Sequence, residues 1–210
     1  MENSNRQLFF SHSWARDKLQ RNNHFRVLKI ANLMKSFGFT IWIDEIDMKD
    51  DIDYSMLNGI QKSEIFITCL TESYLIKINN AASNPRKREN CYKEWCCACN
   101  NDKIIIPLIM EPSLKNIKNW PNSVVQLYLS NVLYIDFSND EFYQNALKLT
   151  KYLEKFNIYP DNSKYHEALK YVSSKTISKY SVKSLNKYLI NSLLCKPKNE
   201  FAVLGKPARL

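Results

Sequence analysis

The chain has 210 residues, 45% of them apolar and 24% charged, which is the composition of a folded protein and enough chain for one domain plus an appendage. It holds only three glycines, Gly38, Gly59 and Gly205, so neither a Walker loop nor a GxGxxG fingerprint, both of which need closely spaced glycines, can be built. The net charge of +9 is uneven: residues 1–150 carry 18 Lys and Arg against 17 Asp and Glu, residues 151–210 carry 12 against 4, and a uniformly basic nucleic-acid-binding domain is disfavoured.

In chain order, the opening Met1–Arg6 lacks the basic-then-apolar pattern of a secretory signal. No apolar run approaches the ~18–20 residues of a membrane span, so a cytoplasmic chain is expected. Five short apolar runs follow: Gln7–Phe10, Phe39–Ile43, Glu64–Leu70, Lys103–Ile109 and Val132–Phe137. They are rich in β-branched and aromatic residues and lack strict alternation, which predicts strands of a parallel sheet buried on both faces. Helical patterns fill the gaps. Ile30, Leu33, Met34 and Phe37 follow i, i+3, i+4, i+7 spacing, with Gly38 where a helix would be capped. Met56, Leu57 and Ile60 mark a short helix, Tyr92–Asn100 another, and Phe142, Ala146, Leu149 and Leu153 a fourth. The β-α-β-α order predicts an α/β fold: a flavodoxin-like, open, five-stranded parallel sheet with helices on both faces. Ligands of such sheets bind outside the carboxyl ends of the strands, here the loops Ser11–Asp17, Asp44–Asp51 and Thr71–Cys91, the last read as one long connection.

From about Lys151 the pattern loosens, and Pro160–Ser163 reads as a break. The expected division is a domain over 1–157 and a basic, mostly helical extension over 158–210. Lys175, Lys179, Lys183 and Lys187 recur every four residues, and on a helix they form one basic stripe. A solvated face is the favoured reading, with peripheral contact to an anionic membrane as the alternative. The last residues, Ala208-Arg209-Leu210, are similar to the S-K-L class of peroxisomal address. Four of six cysteines, Cys91, Cys96, Cys97 and Cys99, crowd together as C-x4-C-C-x-C with no histidine close in sequence, and His12, His24 and His166 are scattered. The spacing fits no usual zinc pattern, so free thiols and no metal are expected.

Five motifs in register resemble the Toll/interleukin-1 receptor (TIR) domain family over about residues 5–155. They are LFFSHSWARD (Leu8–Asp17), WIDEIDM (Trp42–Met48), MLNGIQKSEIFITCLTESY (Met56–Tyr74), NCYKEW (Asn90–Trp95) and KIIIPLI (Lys103–Ile109). The flavour is that of protist and invertebrate members. The resemblance implies one of two roles: an adaptor acting through homotypic TIR–TIR association, or an enzyme that cleaves NAD+ between nicotinamide and ribose, in defence or cell-death signalling. NAD+ would then be the substrate, with no separate cofactor, and partners would be other TIR domains or a self-oligomer. The enzymatic branch uses one glutamate near the start of the helix after the third strand, a position matched by Glu94. Ser11, His12, Ser13 and Trp14 match a loop that meets the dinucleotide, chiefly through Ser13 and Trp14. Trp14 either stacks on a base or anchors its loop. Many members have a basic residue here, and this chain offers Arg16 two residues on. Trp42 and Asp44 flank the second strand's end and are expected at the substrate, where Asp44 bonds the ribose or fixes the loop. Lys49 is expected to reach the substrate from that loop. Trp95 is expected in the core.

Overall fold

Each expected apolar run contains a strand. The computed structural model describes residues 6–44, 51–84, 86–87, 89–121 and 123–176, the last six by backbone alone. The strands are β1 (Arg6–His12), β2 (Ile41–Trp42), β3 (Ser63–Leu70), β4 (Ile104–Ile109) and β5 (Ile135–Asp136). They form one parallel sheet in the flavodoxin-like order β2-β1-β3-β4-β5. In register, Phe9 stands opposite Trp42 on one side and Phe66 on the other, and Ile67 stands opposite Ile106. The ladder of β2 is shorter than the expected Phe39–Ile43: its register reaches only Ile41 and Trp42, opposite Leu8 and Phe9, although Phe39 and Ile43 are buried.

Seven α-helices are described: α1 (Asn23–Ser36), α2 (Ile52–Gln61), α3 (Glu72–Ala82), α4 (Asn90–Asn100), α5 (Val124–Leu129), α6 (Phe142–Leu153) and α7 (Asn162–Thr176). The strand pleat sorts the core into two layers. Leu8, Phe10, Ile65, Ile67, Cys69, Ile106 and Leu108 pack with α1 and α6 residues such as Ile30, Met34, Ala146 and Leu149. Phe9, Phe66 and Leu70 point the other way, into a layer shared with Met56, Ile60, Tyr74, Ile78 and Trp95 of α2, α3 and α4. Both faces are covered, which is why the strands read as continuous apolar runs rather than alternating ones.

Local chemistry sets the helix ends. The Asn22 side chain accepts from the Phe25 N–H and starts α1. At its other end the Phe39 N–H returns to the Met34 carbonyl and Gly38 takes φ +100°, a left-handed conformation suited to glycine. The stretch Thr71–Cys91 is not one long connection. Thr71 accepts from the Tyr74 N–H and opens α3, whose Tyr74, Leu75, Ile78 and Ala81 are buried, leaving only 83–89 as a linker.

Asp17, beyond β1, ties the loop to the far strands. Its carboxylate takes the Arg21 Nε–H at 2.6 Å and lies 3.5 Å from Arg26. Arg26, buried, donates to the Met110 and Phe137 carbonyls at 2.8 and 2.7 Å, and Arg21 to those of Ser138 and Met110 at 2.8 and 2.9 Å. Carbonyls beyond β4 and β5 are thus gathered under the β1 loop by two guanidinium groups.

By contact density the first unit runs to Ala168, past the expected edge at 157. Ile158 is buried, the Asp161 N–H donates to Gly38 O, and Tyr165 meets Phe37 edge-on. The second unit begins at Leu169, and its described part is the helical backbone to Thr176. Lys179, Lys183, Lys187 and Ala208–Leu210 lie outside the described residues, as does the side chain of Lys175. Among the described residues no helix is long and apolar enough to cross a membrane.

Candidate active site

The strand order reverses between β1 and β3, and at such a switch point the loops leaving the two strands part and open a crevice. β1 delivers Ser11, His12, Ser13 and Trp14 to this place. β2 delivers Asp44. The connection out of β3 delivers α3 and the first turns of α4. Residues of these elements, among them His12, Trp14, Asp44 and Glu94, line a cleft of ≈ 380 Å³, within the ~300–1,000 Å³ range of small-molecule sites.

Glu94 is the most buried acid in the lining, at 7% exposure. Its Oε2 accepts from the Ser11 hydroxyl at 2.6 Å. Ser11 Oγ lies 2.8 Å from the Tyr74 hydroxyl, and because the one Ser11 proton is directed at Glu94, Tyr74 donates to Ser11. The result is a buried relay, Tyr74 to Ser11 to Glu94, that fixes one carboxylate oxygen. Burial pushes the Glu94 carboxyl up to about 8; the Ser11 hydrogen bond opposes that shift, and the nearby Asp44 and Glu89 charges reinforce it. Burial likewise raises the Tyr74 hydroxyl and the Cys91 thiol, so both stay protonated near neutrality.

The expected residues divide into three groups. His12, Trp14, Asp44 and Glu94 line the cleft. Ser11 and Ser13 are fully buried behind it. Ser13 lies 3.2 Å from Ser73 Oγ, and its carbonyl accepts from Asn23. Trp42 is in the core, stacked on Phe9 at 4.3 Å, and does not reach the lining. Arg16 points away, its guanidinium donating to the Gln20 carbonyl. Lys49 lies outside the described residues. Trp95 is buried, as expected.

Trp14 is 59% exposed, with its Nε1–H donating to Asp44 Oδ2 at 2.6 Å and its ring stacked on His24 at 3.9 Å. His24 in turn meets His12 across a 2.8 Å contact between Nδ1 and Nε2. His12 is pushed down to about 4, mainly by burial, and is neutral at physiological pH.

Sequence reasoning missed Lys77, Glu89, His24 and Tyr74. Lys77, from α3, is the one lysine or arginine among the described lining residues, and its Nζ lies 3.4 Å from Glu89 Oε1. The helical period of α3 was the signal that would have turned Lys77 toward the switch point; His24 carried no signal beyond its residue type.

Residues 8–150 match the family model for the TIR domain. Among solved structures, the chain is similar to the TIR domain of the Toll-related receptor TRR-2 from the lower metazoan Hydra magnipapillata. That match has a TM-score of 0.46 and 11% identity over 68% of this chain and 96% of that one. It is also similar to the TIR domains of the activated Roq1 resistosome, which directly recognizes the pathogen effector XopQ. There the TM-score is 0.47, with 13% identity over 70% of this chain and 99% of that one. No curated protein matches the chain.

Proposed function

The chain belongs to the TIR domain family, and from that premise we propose that it is an NAD+ nucleosidase, cleaving the nicotinamide–ribose bond to release nicotinamide and ADP-ribose or a cyclic variant, in defence or cell-death signalling. The observation that carries the reading is Glu94: a buried carboxyl lining the cleft at the sheet's switch point, held by one oxygen through Ser11.

The chemistry asks little beyond such a group. As the glycosidic C–N bond breaks, its electron pair leaves with the pyridinium nitrogen, and nicotinamide departs neutral without a general acid. Positive charge develops on the ribose. The free oxygen of Glu94 faces that charge and hydrogen-bonds the sugar hydroxyls, a preorganised electrostatic stabilisation in a desolvated site. Water, or an internal nucleophile in the cyclic case, then adds to the ribose carbon, and its proton passes to the carboxylate. The cationic nicotinamide ring itself favours the ionised form of Glu94 as it enters. Lys77 faces the pyrophosphate, exchanging Glu89 for the substrate's phosphates. The open face of the Trp14 indole stacks on a ring of the dinucleotide, and Asp44 holds Trp14 in place.

The test is nicotinamide release from NAD+ by the wild-type chain and by Glu94→Gln, which keeps the shape and removes the charge. Release by wild type and its near-complete loss in the variant are expected. The second reading is a non-catalytic adaptor acting by homotypic TIR–TIR association. Exposed Arg86 and Lys87, opposite in charge to the acidic Asp44–Asp51 segment, favour it. It expects partner binding that survives Glu94→Gln and is lost on charge reversal of Arg86 and Lys87, with no nicotinamide released by either protein.

A further inference from the structure

Beside Glu94, on the rim of the same cleft, three side chains converge that the proposed reaction does not need together. We propose that His12, His24 and Asp44 form a binding site for a zinc-class divalent metal ion, with His12 Nε2, His24 Nδ1 and an Asp44 carboxylate oxygen as its three protein ligands. Their ligand atoms all lie within 4.8 Å of one another. The sequence offered no such site, because the spacing His12, His24, Asp44 matches no ligand pattern. It is the return of α1 over β1 and the position of β2 beside β1 that bring the three together.

The His12–His24 pair carries the argument. Two imidazole nitrogens face each other at 2.8 Å with ring planes 12° apart. Only one proton fits between them. His12 is also hydrogen-bonded to the Phe10 backbone. A ligating histidine held through its other nitrogen by a backbone group is the usual arrangement at metal centres. One of the two rings fills the gap with its proton. A metal ion takes the place of that proton: the ring that carries it shifts the hydrogen to its outer nitrogen, both facing lone pairs go to the metal, and no net proton or electron is exchanged.

The geometry is close. Nitrogens on a tetrahedral zinc, ~2.0–2.1 Å from the metal, stand ~3.3 Å apart, so the pair opens by about half an ångström. His24 sits in the first turn of α1, its ring stacked on Trp14 at 3.9 Å. Asp44, half-buried, accepts from Trp14 through Oδ2, and a carboxylate accepts at two oxygens. Two imidazoles and one carboxylate are borderline donors that suit zinc, cobalt or nickel rather than calcium or magnesium, and three protein ligands leave a fourth position for water. Both His12 and Asp44 also line the cleft, so an ion here neutralises an acid at its rim.

The site stands or falls independently of NAD+ cleavage, and its test needs no substrate. The full chain, freed of metal and kept reduced, is titrated with Co2+ and then with Zn2+ in competition. One equivalent of cobalt is expected to bind with visible bands of nitrogen and oxygen ligation and without the intense near-ultraviolet thiolate band. His24→Gln and Asp44→Asn are each expected to weaken binding at least about tenfold. Asp44, on the rim, is the variant that decides if His24→Gln fails to fold. Binding that is thiolate in spectrum, or equal in wild type and Asp44→Asn, or absent in the folded wild type overturns the assignment.

Discussion

A carboxyl group buried beside only one hydroxyl donor holds its proton far into the neutral range, and Glu94 does so up to about 8 against an ordinary 4.5. The consequence for stability has a definite sign. Below the ordinary value both folded and unfolded states are protonated. Between it and about 8 the folded state keeps a proton that the unfolded state has released, so stability falls as pH rises, by up to about 1.4 kcal/mol per pH unit, and then levels off. Glu94→Gln removes the titrating group, and its stability is expected to gain on wild type as pH rises across that window. Urea unfolding at several pH values measures the gain; parallel curves would show that the carboxyl is not desolvated. Catalysis responds in the opposite direction. The ionised carboxylate is the working form, so kcat/KM of the wild type is expected to rise with pH toward a plateau above about 8. Glu94 itself was legible in the sequence because it sits within a motif. Its partners were legible only in part: Ser11 belongs to the same opening motif, whereas Tyr74, Lys77 and His24 come to the site through the chain's return path, which no local spacing records.

At the scale of elements, the site rests on the contact between α2 and the edge of the sheet. A Cβ built on Gly59 would lie 2.5–2.8 Å from the indole of Trp42, which is itself stacked on Phe9. α2 approaches the strand this closely because residue 59 has no side chain. Gly59→Ala therefore overpacks a buried, ring-locked neighbour, and a loss of about 1–3 kcal/mol is expected in denaturant unfolding, with a changed near-ultraviolet tryptophan signal. An unchanged midpoint would mean that the helix is free to slide. The same contact explains the fate of Trp42, which by motif was expected at the substrate and by packing belongs to the core. The five strands were legible because sheets covered on both faces leave unbroken apolar runs. α3 is absent from the expected helices, although Tyr74, Leu75, Ile78 and Ala81 carry its period and Thr71 its cap, because Asn79, Asn80, Ser83, Asn84 and Pro85 give the stretch the composition of a loop. The ends of β2 differ because pairing partners, not hydropathy, end a ladder.

For the whole molecule, the question is where the folded unit ends. The break at Pro160 suggested an edge at 157, but the segment beyond it returns to the α1 end: the backbone of Asp161 fills the space a Gly38 Cβ would need, and Gln7 donates to the Tyr159 carbonyl at 2.7 Å. If this segment is part of the core, Ile158→Ala costs about 2–5 kcal/mol. A residue in an exposed linker would change stability by less than about 0.5 kcal/mol. Equilibrium unfolding of the full chain separates the two.

The central claim is that one desolvated carboxylate faces a sugar turning cationic. The most direct measurement is nicotinamide release from NAD+ by the full chain at several protein concentrations and at a pH above 8, alongside Glu94→Gln at the same concentrations. The account expects steady release by wild type, steeper than linear if assembly completes the cleft, and release by the variant at the level of buffer. Equal release from the two proteins, or none from either while both are folded and assembled, contradicts it.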